Sequence, residues 1–285
     1  MTTRRLLISA GCATLLCACD RRAHAKGAPP SESPATATAG PASASAPATS
    51  APPSPSPTPT PTPAPTVAPG SGPVPPGRAE TAVHAGPKVI ALTFDDGPSP
   101  LDTPRVLEIL REHGVTATFF MIGRNVQRYP DTVRQVVAAG HQVGNHTWSH
   151  PDLGTLSKSG VRREIERTGD VLAGTCGIRP VLFRAPGGHF TRNSYAVCAD
   201  LGLKSICWNV DPEDWANPGT GAIASRVLTA TRTGSIVLNH DGCLTDTPIT
   251  APGGPGDRSQ TVDALRSYLP KLLAAGYRFT VPDTD

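Results

Sequence analysis

Two adjacent carboxylates, Asp95 and Asp96, follow a short apolar run and precede a Gly-Pro turn. They cannot both face an apolar core, because burying unpaired charge is costly. A bound metal would resolve the conflict, since one carboxylate could be a ligand while its neighbour stays ionised as a base. An ordinary surface turn is the alternative, because Asp and Gly are common turn residues. The pair alone leaves both interpretations open.

A second chemistry-bearing segment is His146-Thr147-Trp148-Ser149-His150. Histidines four residues apart lie on one face of a helical turn and can share a cation. Together with Asp96 they offer two nitrogens and one oxygen, which leaves positions open to water and substrate. Three protein ligands and an open position are typical of a catalytic metal rather than a structural one. We therefore predict a divalent metal bound by Asp96, His146 and His150.

The elements that must position these residues follow from hydrophobic periodicity. Strands are expected at residues 89–94, 117–121, 142–144, 181–184, 204–210, 235–239 and 278–281. Helices between them are expected at 131–139, 193–201, 222–230 and 261–275. An apolar stripe over 161–172 predicts a further helix. Another is expected to begin at Thr103, as its N-cap, and to end just before Gly114. Seven strands alternating with helices predict a parallel α/β fold. Reactive residues should then follow the carboxyl ends of the strands.

Three further motifs follow predicted strands: Arg184-Ala185-Pro186-Gly187-Gly188, Asp211-Pro212-Glu213-Asp214-Trp215 and Leu238-Asn239-His240-Asp241. Each could be loop chemistry in isolation. Taken in order with the first two motifs, they resemble the polysaccharide deacetylases of carbohydrate esterase family four. The resemblance covers residues 89–281 and implies a distorted (β/α)₇ barrel, in agreement with the seven strands.

The resemblance implies a role for each matched residue. Asp95 would be the general base, held by Arg184, and His240 would be the general acid, oriented by Asp214. The metal on Asp96, His146 and His150 would be Zn²⁺ or, in some members, Co²⁺ or Ni²⁺. Trp215 and Leu238 would form an apolar groove for the substrate. The backbone N–H of Gly187 would contribute to the oxyanion site. Many members carry an aromatic residue at the position of Gly187, so glycine here implies that the chemistry survives with altered or looser sugar recognition.

The reaction implied is removal of N-acetyl groups from a polysaccharide containing N-acetylglucosamine. Peptidoglycan of the cell's own wall is the expected substrate, because the N-terminal residues predict a membrane anchor and a stalk, as described next. Two alternatives stay open: an O-acetyl esterase acting on xylan or another acetylated glycan, and a non-catalytic glycan-binding module that keeps the fold.

The N-terminal part of the chain predicts export. Residues 1–19 combine Arg4 and Arg5 with a short apolar stretch and end in Leu16-Cys17-Ala18-Cys19, which resembles a lipobox. Lipid on Cys19 would anchor the protein at the outer face of the membrane. Cleavage after Ala23-His24-Ala25, giving a secreted protein, is the alternative. Residues 20–86 form a stalk rich in Pro, Ala, Ser and Thr, expected to be disordered.

Composition sharpens this division. Of 32 prolines, 17 fall within residues 27–77, and the net charge of +3 belongs to the leader and stalk. Residues 87–285, the expected catalytic domain, carry 20 Lys and Arg against 20 Asp and Glu. A neutral domain gives no reason to expect a nucleic-acid partner, and we expect a monomer. Disulfides are expected among Cys176, Cys198, Cys207 and Cys243, with three pairings open.

Two further histidines are interpreted more plainly. His141 precedes a predicted strand and is expected to be structural. His189 follows the glycine pair, and a groove-lining position and an exposed loop position are equally open.

Overall fold

The fold was obtained from a computed structural model, which describes residues 78–282. The predicted signal segment (1–19), with its lipid-attachment site at Cys19, and most of the predicted stalk (20–86) lie outside these residues. Within the described range, no helix has the length and apolar character needed to cross a membrane.

Seven strands, all paired in parallel, form one curled sheet in the described part of the chain. They are β1 (Val89–Asp95), β2 (Thr118–Met121), β3 (Gln142–Asn145), β4 (Leu182–Phe183), β5 (Lys204–Ser205), β6 (Ile236–His240) and β7 (Arg278–Thr280). Their order is β5-β4-β3-β2-β1-β6, and β7 pairs with the first half of β1. All carboxyl ends therefore lie along one edge.

Seven helices accompany the sheet in residues 78–282: α1 (Asp102–Glu112), α2 (Gly123–Arg128), α3 (Pro130–Ala138), α4 (Lys158–Cys176), α5 (Arg192–Leu201), α6 (Thr220–Ala230) and α7 (Ser259–Ala274). Every residue of β1 is buried, as expected for a central parallel strand covered on both faces. The α/β prediction is confirmed, and the curled half-barrel is consistent with a distorted (β/α)₇ barrel.

Residues 80–83, which precede β1 in the sequence, form an irregular segment that lies in space between β5 and β6. Glu80 bridges Ile206 beside β5, and Ala82 bridges the residue before β6. Val83 is only 4% exposed and belongs to an apolar cluster that includes Ile206. The packed chain therefore begins before Pro87, where we had placed the start of the domain, because these residues add main-chain pairing and a buried side chain.

The start of α1 differs from the prediction. Thr103 is not the N-cap, because the helix begins at Asp102 with Leu101 as its N-cap residue. The Ser99 hydroxyl instead accepts the N–H groups of Leu101 and Asp102. Thr103 accepts the Ser99 N–H through its hydroxyl oxygen and donates its proton to Asp241. The Thr103 hydroxyl thus serves a tertiary contact as well as the helix start.

Two other elements depart from expectation. The strand expected over 204–210 is regular only at β5, and Val210 makes an isolated bridge to Val237 of β6. Helix α2 was not predicted, because its six residues are too few to show a helical period.

The expected disulfides are not formed within the described residues. The four thiols of Cys176, Cys198, Cys207 and Cys243 are free. They lie on separate elements, at the end of α4, within α5, after β5 and after β6. Burial raises the pKa of the Cys198 thiol to about 11, which makes this side chain an inert packing residue.

His141 has the structural role that was expected. It is buried, its Nδ1 accepts the Ala117 N–H at 3.2 Å, and its ring packs against Phe119. Burial lowers its pKa to about 4, so the ring is neutral at physiological pH.

Candidate active site

The predicted strand-end motifs converge at one edge of the sheet. Asp95 ends β1 and pairs in register with His240, which ends β6. His146 directly follows β3, and Arg184 directly follows β4. Parallel pairing alone therefore brings together residues far apart in sequence.

Three side chains bring potential ligand atoms together at this edge. Asp96 Oδ1 lies 3.4 Å from His146 Nε2 and 3.3 Å from His150 Nε2, and the three ligand atoms lie within 4.8 Å of one another. Asp96 Oδ1 is buried and accepts no hydrogen bond from the described residues. Because a buried carboxylate oxygen without a donor is costly, its position between two imidazole nitrogens fits a cation.

The electrostatics of the cluster also favour a cation. Burial alone would raise the pKa of the Asp96 carboxyl, but the imidazoles of His146, His240 and His150 hold it well below its usual range. Burial would lower the pKa of His146, yet Asp95 and Asp96 raise it. The two carboxylates thus favour positive charge at the His146 imidazole, and a metal ion bound to its Nε2 can take the place of a proton.

The segment carrying the two histidines is not a helical turn, contrary to the prediction. Thr147 and His150 have φ angles of 67° and 53°, in the left-handed region. The Glu164 carboxylate on α4 accepts two successive loop N–H groups, at 3.0 and 2.8 Å. The predicted ligand set is therefore brought together by a loop held from α4, with a different local geometry from the one expected.

His146 is oriented by its other ring nitrogen. Its Nδ1 donates to the Arg184 carbonyl oxygen at 2.9 Å, which directs Nε2 toward Asp96. Such an outer hydrogen bond fixes the tautomer and ring orientation of a metal-ligating histidine.

Asp95 is held by a fully buried guanidinium. Arg184 Nη1 donates to Asp95 Oδ1 at 2.7 Å and to Thr93 Oγ1 at 2.9 Å, and the Arg184 side chain has no solvent exposure. The guanidinium also lies 4.1 Å from the centre of the Phe120 ring. Asp95 Oδ2 faces the ligand cluster, 3.8 Å from His146 Nε2. Arg184 thus fixes Oδ1 of Asp95 and leaves Oδ2 facing the site.

His240 forms a partly buried dyad with Asp214. Asp214 Oδ1 accepts from His240 Nδ1 at 2.7 Å, while Oδ2 accepts the His240 backbone N–H at 2.7 Å and the Thr261 hydroxyl at 2.8 Å. Burial would lower the pKa of His240, but Asp214, with smaller contributions from Asp96 and Asp95, raises it to about 9. His240 is therefore protonated at neutral pH, with Nε2 as its remaining donor.

The predicted substrate residues differ in exposure. Trp215 is 55% exposed, whereas Leu238 is 2% exposed and lies two residues before His240 on the same face of β6. Gly187 is exposed, with φ of 60°, and a Cβ added there would lie 3.4 Å from the His189 ring. The exposed His189 imidazole thus lies beside the space that a side chain at 187 would enter.

Two residues that position the site were missed by sequence reasoning. Asn125 on α2 donates to the Asp96 carbonyl at 2.8 Å and to the Cys243 carbonyl at 3.1 Å. It thereby joins the left-handed Asp96, with φ of 70°, to the loop after β6. Asp241 is fully buried, accepts from Thr103 and donates its N–H to the Asp95 carbonyl. Asn125 carries no local sequence signal, and Asp241, although part of the motif that contains His240, was given no role, because both act across long sequence separations.

The Asp241 carboxylate also packs against Gly97, in the turn after Asp96. Burial raises the pKa of Asp241 to about 7. A Cβ on Gly97 would lie 2.5 Å from Asp241 Oδ1, closer than real Cβ contacts allow.

Gly97→Ala is therefore expected to lower the free energy of unfolding by about 1–3 kcal/mol through overpacking. Gly174→Ala is the matched control, because a Cβ there meets nothing within 4 Å inside α4. That helical substitution should raise the free energy of unfolding by up to about 1 kcal/mol. Urea denaturation of both variants checks the pair, and equal stability changes would contradict the close packing at Gly97.

Comparison with known proteins identifies the family of the chain. Residues 82–206 match the family model of polysaccharide deacetylases. Over 193 residues the chain is 42% identical to a chitooligosaccharide deacetylase of Sinorhizobium fredii, covering 67% of this chain and 89% of that protein. Over 207 residues it is 41% identical to a peptidoglycan-N-acetylglucosamine deacetylase of Bacillus cereus, covering 72% and 91%. The chain belongs to the polysaccharide deacetylase family.

The fold of a similar solved structure also occurs in a protein that is not an active enzyme. A family four carbohydrate esterase pseudoenzyme from Bacillus anthracis is similar to this chain, with a TM-score of 0.64 and 29% identity, covering 72% of this chain and 67% of that chain. The family fold therefore occurs without enzymatic activity. Activity therefore depends on the side chains that a member carries. Four of the predicted site residues of this chain lie beyond the matched residues 82–206: Asp214, Trp215, Leu238 and His240.

Proposed function

We propose that the protein is a metal-dependent hydrolase that removes N-acetyl groups from polysaccharide containing N-acetylglucosamine, with peptidoglycan as its substrate. The observation that carries this proposal is the buried Asp96 oxygen between two imidazole nitrogens, flanked by the Asp95–Arg184 and His240–Asp214 pairs. The names of the two relatives support the same substrate class.

Asp96, His146 and His150 would hold a divalent ion, for which we propose Zn²⁺, because two imidazoles and one carboxylate are ligands that suit zinc. When bound, such an ion supplies Lewis-acid polarisation of a carbonyl and a lowered pKa of water. The chain's part is to keep Asp96 ionised and to aim both Nε2 atoms inward.

Asp95 would act as the general base. Its Oδ1 is bound by Arg184, so Oδ2 is the atom that takes a proton from the attacking water. The guanidinium fixes the rotamer of the carboxylate before substrate binds. Oxygen of the water then bonds to the acetamide carbon.

His240 would act as the general acid. When the carbon–nitrogen bond breaks, Nε2 gives its proton to the departing amine, which would otherwise leave as an unstable amide anion. Asp214 holds Nδ1 and stabilises the protonated ring. The backbone N–H of Gly187 would donate to the oxyanion that precedes bond cleavage, a contribution of about 2.7–4 kcal/mol for one such donor.

The complete set of these groups argues against a non-catalytic binding module. A binding protein would have no need of a carboxylate held by a buried guanidinium and a histidine kept protonated beside it. We accordingly propose an active enzyme.

The test is acetate release by the full protein from peptidoglycan, chitooligosaccharides and acetylxylan, before and after treatment with a chelator. We expect release from the N-acetylated glycans, a loss of at least about tenfold on metal removal, and recovery on adding Zn²⁺. Release that persists fully after metal stripping would contradict the metal-dependent mechanism. Preference for acetylxylan would instead identify an O-acetyl esterase.

We also propose that residues 1–19 direct export, that lipid on Cys19 anchors the protein at the outer face of the membrane, and that the stalk residues before Glu80 hold the domain within the cell wall. This proposal rests on the lipobox-like Leu16-Cys17-Ala18-Cys19 and on the Pro-rich composition. Fractionation checks it, since Cys19→Ser should move the protein from the membrane to the soluble fraction. Membrane retention of that variant would contradict the lipid anchor.

A further inference from the structure

Trp215 combines an exposed side chain with a backbone held from outside its own turn. The indole is 55% exposed, so packing does not fix its position. Its short 3₁₀ turn (Asp214–Ala216) lies between Glu213 and Asn217, which have φ angles of 55° and 50°. A turn between two left-handed residues depends on hydrogen bonds from its surroundings to set its orientation.

Arg258, the residue before α7, provides one of these hydrogen bonds. Its Nη1 donates to the Trp215 carbonyl at 3.3 Å and its Nε to the Gly242 carbonyl at 2.9 Å. Only 7% of Arg258 is exposed, and its own N–H donates to Asp102 Oδ2 at 3.2 Å. One planar guanidinium therefore ties the Trp215 turn to the loop that immediately follows His240.

Thr261, in the first turn of α7, holds the same turn through its acidic residue. Its hydroxyl donates to Asp214 Oδ2 at 2.8 Å and is fully buried. Because that oxygen already accepts the His240 backbone N–H, Oδ1 is left for the imidazole. Thr261 thus selects which Asp214 oxygen meets the ring.

We propose that Arg258 and Thr261 are positioning residues for deacetylation, Arg258 by setting the Trp215 wall relative to His240 and Thr261 by fixing the Asp214 carboxylate. This inference rests on the proposed function, because it assigns the two residues to the acetyl-binding wall and the acid of that reaction. Neither side chain has to touch the glycan, and each acts through the residue that it holds.

Two variants and two controls separate the roles. Arg258→Lys keeps the charge but loses the two-pronged donation, so we expect KM for chitooligosaccharides to rise about tenfold with kcat within about threefold. Thr261→Val keeps the shape but loses the donor, so kcat should fall about tenfold with little change in KM. Thr261→Ser, which keeps the hydroxyl, and Arg266→Lys, on the exposed part of α7, should stay within about twofold of the parent.

Double variants provide a readout that a general loss of stability would not produce. If Arg258 acts through the wall, Trp215→Ala with Arg258→Lys should have the same kcat/KM as Trp215→Ala alone. Thr261→Val should likewise add nothing to Asp214→Asn. Effects that multiply in both double variants would overturn the proposal.

The outcomes distinguish this inference from the proposed function. If the parent protein releases no acetate from any glycan, the proposed function fails. If the parent is active and both Arg258→Lys and Thr261→Val behave like Arg266→Lys, the positioning roles are refuted while the function stands. Should Arg258→Lys fold poorly in urea denaturation, the Thr261→Val and Thr261→Ser pair decides whether the α7 start positions the acid.

Discussion

Asp95→Asn is expected to lower kcat by at least about 10²-fold while the protein still binds the proposed divalent ion. Removing a positioned general base costs about 10²–10⁴-fold. The amide oxygen can still accept from Arg184 at the Oδ1 position, so the buried guanidinium keeps a partner and the fold should persist. The amide nitrogen at the Oδ2 position cannot take a proton from water.

Asp96→Asn is the matched comparison, because it makes the same substitution one residue later. It should lose metal as well as activity, since the orphaned Oδ1 is the proposed ligand atom. Metal content measured after dialysis, together with acetate release, separates the two variants. Normal turnover by Asp95→Asn would refute its assignment as base, and equal metal loss from both variants would mean that Asp95 is also a ligand.

The second large effect concerns pH. A general acid must be protonated, so kcat should be retained at neutral pH and lost as pH rises through the raised pKa of His240, about 9. Asp214 is the strongest contributor to this rise, whereas burial opposes it. In Asp214→Asn the alkaline limb of the kcat profile should therefore move to lower pH by about 1–3 units.

The profile of kcat against pH, measured with the Asp214→Asn and Asp170→Asn variants, checks this prediction. Asp170 is exposed on α4 and paired with Arg179, so its loss should leave the profile unchanged. An unshifted limb in Asp214→Asn would show that His240 is not the group controlling it.

The strand-end motifs could be recognised in the sequence because their signals are local. Asp95 and Asp96 are adjacent and precede a turn, and the histidines recur at a fixed spacing. Parallel pairing then determines that their strand ends meet, as the register of Asp95 with His240 illustrates. The structure brings Asp96, His146 and His150 close together, although the helical turn expected around the histidines was wrong.

The supporting residues were not predictable for a physical reason. The hydrogen bonds of these residues join groups at least 43 positions apart in the sequence: Asn125 with Cys243, Arg258 with Trp215, and Thr261 with Asp214. Nothing in their neighbouring sequence specifies these partners. The wrong N-cap at Thr103 has the same cause, because its hydroxyl also serves Asp241, which is distant in sequence.

Residues 80–83, between β5 and β6, have a mechanical consequence. A tether entering the domain from its N-terminal side would join the barrel through this segment, so a pull on the chain would be borne by the bridge at Glu80 and the bridge at Ala82. Cutting the tether at Pro87 would remove both bridges and uncover the cluster that buries Val83. A truncation that keeps this packing intact would therefore have to begin before Glu80.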